Sequence, residues 1–185
     1  MIPRVMEEYV NHTKAIRGYF LTDRKLIKFI KNRPGNQDID VIKEKVMAVA
    51  DHDRVDYFIM CGFHDHIERL KIDEPLTKGD LSIAIGIAQN GHSGIDNEII
   101  AFASRYCAVH APMFFPLWNK HSLKVIQSYH HKTLLPSDYL EYGELVREIK
   151  SKFSMAPLNF FDISKFFWIY QDYLIDYYCE KSFDS

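Results

Sequence analysis

From Ile163 to Tyr178, apolar and aromatic side chains return every three or four residues. The stripe consists of Ile163, Phe166, Phe167, Tyr170, Tyr173, Leu174, Tyr177 and Tyr178, and Asp162, Lys165, Gln171, Asp172 and Asp176 fall between them. A period near 3.6 lays one broad apolar face along a helix and leaves the other face polar. The same spacing recurs along the chain. No stretch sustains the period-two alternation, bounded by hairpin turns, that a sheet requires. The pattern therefore predicts an all-α protein, a compact orthogonal bundle of about eight or nine helices.

Punctuation residues divide the bundle. A first helix is expected over residues 4–20 and a second after Thr22 as N-cap, ended by Arg33-Pro34-Gly35-Asn36. A third begins near Asp38 and carries Ile39, Ile42, Val46, Val49 and Ala50 at helical spacing. A fourth is expected over 55–70. Asp73-Glu74-Pro75 reads as a turn, and Thr77 as the cap of a fifth helix over 81–88. A sixth covers 95–109, a seventh 117–129, and an eighth 139–153, opened by Pro136-Ser137-Asp138 with Leu140, Leu145, Val146, Ile149 and Phe153 inward. The length of 185 residues suits one domain, 1–185, with a possible subdivision into N-terminal helices 1–90 and a second half 91–185.

Charge narrows the partners. With 23 basic and 25 acidic side chains the net charge is -2, too balanced for strong bulk attraction to nucleic acid or anionic membranes. Only a local patch could bind a polyanion. The dense basic run is Lys120, His121, Lys124, His130, His131 and Lys132, with Arg105 and His110 nearby in sequence. Upstream lies the small-residue turn Asn90-Gly91-His92-Ser93-Gly94. Turn N–H groups beside basic side chains are one way a helical module grips a phosphate backbone. Gly91, Ser93, Gly94, Arg105, Lys120, His121 and Lys124 are therefore the candidate DNA contacts.

Residues 91–168 carry a run of short motifs: Gly91-His92-Ser93-Gly94, then Ala103-Ser104-Arg105-Tyr106, then Pro116-Leu117-Trp118-Asn119-Lys120-His121, and finally Phe167-Trp168. In this order they resemble the C-terminal half of helix-hairpin-helix DNA glycosylases, especially the archaeal 8-oxoguanine group. They are also similar to uncharacterised bacterial proteins of about this size. The resemblance implies a helix-hairpin-helix-like second half and contact with DNA. It also implies a lysine nucleophile just after the hairpin and an aspartate ahead of the basic residue and histidine. Neither is matched. Ile95-Asp96-Asn97-Glu98-Ile99-Ile100-Ala101 contains no lysine, and Asn119 stands where the aspartate would be. An amide cannot accept a proton or stabilise a developing cation as a carboxylate does. A catalytically degenerate DNA-binding protein, not an enzyme and without a cofactor, is the leading expectation.

Two alternatives come from other residues. His52-Asp53 and His64-Asp65-His66 invite a divalent metal, and Met60 to Asp65 resembles the His-Asp helix of HD phosphohydrolases. His64 and Asp65 would then be ligands, with His12 and Asp96 as candidates to complete the set. His64 and His66, two apart, point to different helix faces. The other alternative is an interaction module that forms a homodimer through the tyrosine-rich terminal helix. Ser104, Cys107 and His110 share a helix face but read as packing rather than as a nucleophile set.

Three widely separated cysteines, Cys61, Cys107 and Cys179, argue against a disulfide framework and for free thiols in a reducing compartment. The N-terminus has no apolar signal core, and no window approaches the ~18 apolar residues of a spanning helix. A cytoplasmic location without membrane contact is expected.

Overall fold

The computed structural model describes Glu8, Asn11, His12 and residues 21–55, 62–90, 95–153 and 155–181. The described residues form nine α-helices, one 3-10 turn and no strand. The helices are α1 (Leu21–Lys31), α2 (Ile39–Asp53), α3 (Phe63–Leu70), α4 (Asp73–Lys78), α5 (Ser82–Ala88), α6 (Asn97–His110), α7 (Lys120–His130), α8 (Tyr139–Lys152) and α9 (Phe160–Lys181). The all-α expectation holds. Of the expected first helix only Glu8, Asn11 and His12 are described, all three helical, and the Gly91–Gly94 hairpin and the Thr22 side chain lie outside the described residues.

Local chemistry explains the helix ends. Asp38 caps α2 by accepting from the N–H groups of Asp40 and Val41. Asp96 caps α6 by accepting from Ile99 N at 2.8 Å, so the helix starts at Asn97. The expected turn at Asp73-Glu74-Pro75 is instead the first turn of α4. Proline fits there because first-turn N–H groups have no intrahelical acceptor. Thr77 is no cap, since its hydroxyl donates to Glu74 O within α4. Asp80 serves α5 by accepting from both Ser82 N and Ser82 Oγ.

The apolar stripes pack inward with two exceptions. On α8, Leu140 is exposed, while Tyr139 and Tyr142 are fully buried. On α9, Ile163, Phe166, Phe167 and Leu174 are buried, but the helix breaks at Tyr170 (φ −112°, ψ 16°) and Tyr173 beyond it is exposed. Gly143 lets α8 approach α5, since a Cβ there would stand 2.3 Å from Leu81 Cδ1.

The element that positions the site is not a helix. Residues 115–119, expected as the start of the seventh helix, cross the core before α7 begins, and Phe115, Leu117 and Trp118 are buried. A buried segment outside regular structure must find partners for its backbone groups. Four side chains supply them. Ser164 Oγ accepts from Leu117 N (3.0 Å), and Ser104 Oγ accepts from Trp118 N (3.0 Å). Tyr139 donates to Pro116 O (2.8 Å) and Tyr142 to Leu117 O (2.6 Å). The segment is thus pinned by α6, α8 and α9, and it delivers Asn119 to the start of α7.

Candidate functional site

Asn119 is the N-cap of α7. Its Oδ1 accepts from His121 N and Ser122 N, both at 3.0 Å. Its Nδ2 donates to Ser122 Oγ (3.0 Å) and Leu117 O (3.3 Å). The amide therefore spends both donors and both acceptor positions on holding the helix start. It has no spare group for chemistry on a substrate.

Asn119 and Lys120 form one side of a cleft of about 510 Å³ between the end of α2, one face of α6 and the start of α7. Phe102, Leu117 and Trp118 line it with apolar surface, and Asp53, Arg54, Glu98 and Arg105 line it with charge. Two of these charges are matched internally. Asp53 Oδ2 accepts from Arg105 Nε at 3.1 Å, and Asp53 Oδ1 accepts from His52 Nδ1 at 2.8 Å. Behind Asp53, the Asp23 carboxylate lies 3.0 Å from His52 Nε2, 3.3 Å from Arg105 Nη1 and 3.4 Å from Lys165 Nζ. Helices α1, α2, α6 and α9 are tied at this point.

Asp53 accepts from His52 Nδ1, and the Asp23 carboxylate stands 3.0 Å from Nε2 as an ion-pair partner. Asp23 and Asp53 lift the His52 pKa to about 9, against burial and the Arg105 charge. Burial pushes the Asp23 carboxyl up, but His52, Arg105 and Lys165 outweigh it and leave Asp23 below its ordinary value. The wall behind the cleft thus holds three cations, His52, Arg105 and Lys165, around two carboxylates.

The expected DNA contacts separate into three groups. Arg105 is in the wall, donating to Asp53 and Asp23 with its side chain largely buried. His121 packs under the surface, with Nδ1 2.9 Å from Gln171 Oε1 and its ring edge-on to Trp168 at 6.1 Å. Lys120 and Lys124 are exposed one turn apart on α7. Gly91, Ser93 and Gly94 lie outside the described residues. The far end of the basic run is answered by one acid, since Glu141 pairs with Lys132 (2.8 Å) and His130 (3.3 Å).

The other candidates are held in structural contacts. His64 Nε2 lies 3.6 Å from Asp65, and His66 Nε2 lies 2.7 Å from Gly86 O. His12 meets the Tyr170 hydroxyl at 2.6 Å, and Asp96 is the α6 cap. Among the described residues, no group of three His, Cys, Asp or Glu side chains could hold a metal ion. Cys107 is fully buried and its thiol is pushed far above its ordinary pKa, the opposite of an activated nucleophile. Ser104 is committed to Trp118 N.

Sequence reasoning missed a second polar cluster. Lys45 is wholly buried on α2, donating to Gly35 O (2.5 Å) and Asn36 Oδ1 (3.2 Å). Asn36 also accepts from Tyr106 OH (2.8 Å) and donates to Asp73 Oδ1 (2.7 Å). Burial draws Lys45 down to about 8, against the pull of Asp73. Beside it, burial holds His110 down to about 4, and its Nε2 has no hydrogen-bond partner among the described residues. Arg54 was also missed. The available signal was its place directly after His52-Asp53 at a helix end.

Fold and cleft together define a helical protein with a charged cleft at a capped helix start. The chain belongs to the HI_0787_N family, whose model, described as an N-terminal domain, matches residues 5–114. The matched span includes Asp23, His52, Asp53, Arg54 and Arg105 but stops short of Asn119 and Lys120. No curated protein and no solved structure matches the chain. No helix among the described residues is long and apolar enough to cross a membrane.

Proposed function

We propose that the protein binds DNA through the exposed edge of α7 and does no glycosylase chemistry. The observation that carries this reading is the start of α7. Lys120 and Lys124 stand exposed in its first turns, and Lys120 lines a cleft beside the amide that caps the helix. Two lysines one turn apart suit adjacent phosphates, and they add charge where the buried wall already holds an excess of cations. Trp168 is 44% exposed beside His121 on the same surface and offers an aromatic face to a base. Asn119 has its hydrogen bonds satisfied and carries no charge, so it supplies neither a base nor an electrostatic partner for a cationic sugar.

The test is fluorescence anisotropy of a labelled duplex across a salt series. Binding should weaken steeply with salt. Reversing both charges, Lys120→Glu with Lys124→Glu, should weaken it further and flatten the salt slope by about two phosphate contacts. Absence of binding at low salt would remove this reading.

A further inference from the structure

Arg54 is the C-cap of α2 in left-handed conformation, at φ 57° and ψ 38°. Helices commonly end this way on glycine, because a Cβ is strained there. Here the position carries a long cationic side chain, and that side chain lines the cleft. It is exposed, and among the described residues no acceptor holds its guanidinium. Lys120 lines the same cleft and is likewise exposed and unpaired among the described residues.

The other charges of the cleft make room for an anion. Asp53 would repel one, but both its oxygens are occupied, by His52 and by Arg105. Glu98 is then the acid in the lining without a partner among the described residues. Two free cations face one free carboxylate over an apolar lining of Phe102, Leu117 and Trp118.

We propose that Arg54 and Lys120 form a phosphate clamp across this cleft, which holds the phosphate of a nucleotide unit. The guanidinium presents planar paired donors that match phosphate oxygens, and the ammonium supplies a second point charge. The apolar lining suits the base or sugar edge, and a volume of about 510 Å³ accommodates one nucleotide rather than a long polymer segment. Lys71 and His131 end their helices in the same left-handed conformation; Arg54 differs from them in that its side chain lines the cleft. The clamp shares its cleft and Lys120 with the DNA reading. Its phosphate can come from a free nucleotide or from a DNA strand.

Arg54→Gly separates clamp from scaffold. Full-length wild type, Arg54→Gly and Glu98→Gln are titrated with inorganic phosphate, with deoxyadenosine monophosphate and with a labelled duplex, and thermal unfolding is recorded for each. Arg54→Gly should hold its Tm or gain about 2–4 °C, while losing at least about tenfold in affinity for the mononucleotide. Glu98→Gln should tighten it. A parallel loss for the duplex assigns the phosphate to DNA, and a loss confined to the mononucleotide assigns it to a free nucleotide. If the duplex never binds but the mononucleotide does and responds to Arg54→Gly, the clamp stands and the DNA reading falls. If the duplex binds and Arg54→Gly weakens neither probe, the clamp falls and the DNA reading stands. Failure of wild type to bind any of the three overturns both, and a marked drop in Tm for Arg54→Gly overturns the strain argument.

Discussion

Replacing His52 with glutamine should change how stability depends on pH, and the size of that change follows from its two carboxylate neighbours. In the folded protein Asp23 and Asp53 raise His52 to about 9, against an ordinary value of 6.5. A raised pKa means that the folded state holds the proton more tightly. The stabilisation is therefore complete below about pH 6.5 and is lost as pH climbs through 9. At about 1.4 kcal/mol per tenfold change in proton affinity, the full effect is about 3 kcal/mol. Most of it disappears between pH 6 and pH 9. Lys45 opposes this at the alkaline end. Its folded pKa of about 8 lies below its ordinary 10.5, so its burial penalty is relieved as pH rises from 8. The clean observable is thus a difference. Urea unfolding of wild type and His52→Gln at pH 6, 7, 8 and 9 cancels groups common to both. The stability gap should narrow by about 3 kcal/mol across the series. A gap that stays constant or widens with pH would refute the assignment of a charged His52 between two carboxylates.

Ser104→Ala and Ser164→Ala should each cost about 1–3 kcal/mol in urea unfolding, because each strands a buried N–H of the 115–119 segment. Asn119→Ala should lose the α7 cap, at about 0.5–2 kcal/mol, whereas Asn119→Asp keeps an oxygen on the cap N–H groups and should cost less. His110 is held neutral to about pH 4, so the unfolded chain takes up its proton first and stability falls as pH drops below 6.5. His110→Phe should blunt that acid loss in pH-dependent unfolding.

Much of the helix pattern was legible because it depends on local chemistry. Asp38, Pro136 and the apolar steps of α2 and α9 state their roles within a few residues. The expected seventh helix began too early because Leu117 and Trp118 look helical by spacing. What holds them out of the helix is the set of Ser104, Tyr139, Tyr142 and Ser164 hydroxyls, which only the tertiary fold brings together. The same limit applies to the cleft. Arg105 was recognised as basic, but its pairing with Asp23 and Asp53 spans up to 82 residues of sequence. Lys45 was not singled out, since nothing beside it in the sequence announces that Gly35 O and Asn36 will meet its ammonium. The exposure of Lys120 and Lys124 was readable because a helix edge needs no distant partner.

The pinned segment also fixes when the cleft can exist. One of its four anchoring hydroxyls comes from α6 and two from α8, but these three do not suffice, because Leu117 N waits for Ser164 near the start of α9. Synthesis proceeds from the N-terminus, so a ribosome-bound chain ending at residue 150 holds Arg54 and Lys120 without the hydroxyl that sets their spacing. Completion of the cleft is thereby deferred until the start of α9 has emerged, and a product terminated before Ser164 carries the residues of the cleft without the anchor at Leu117 N.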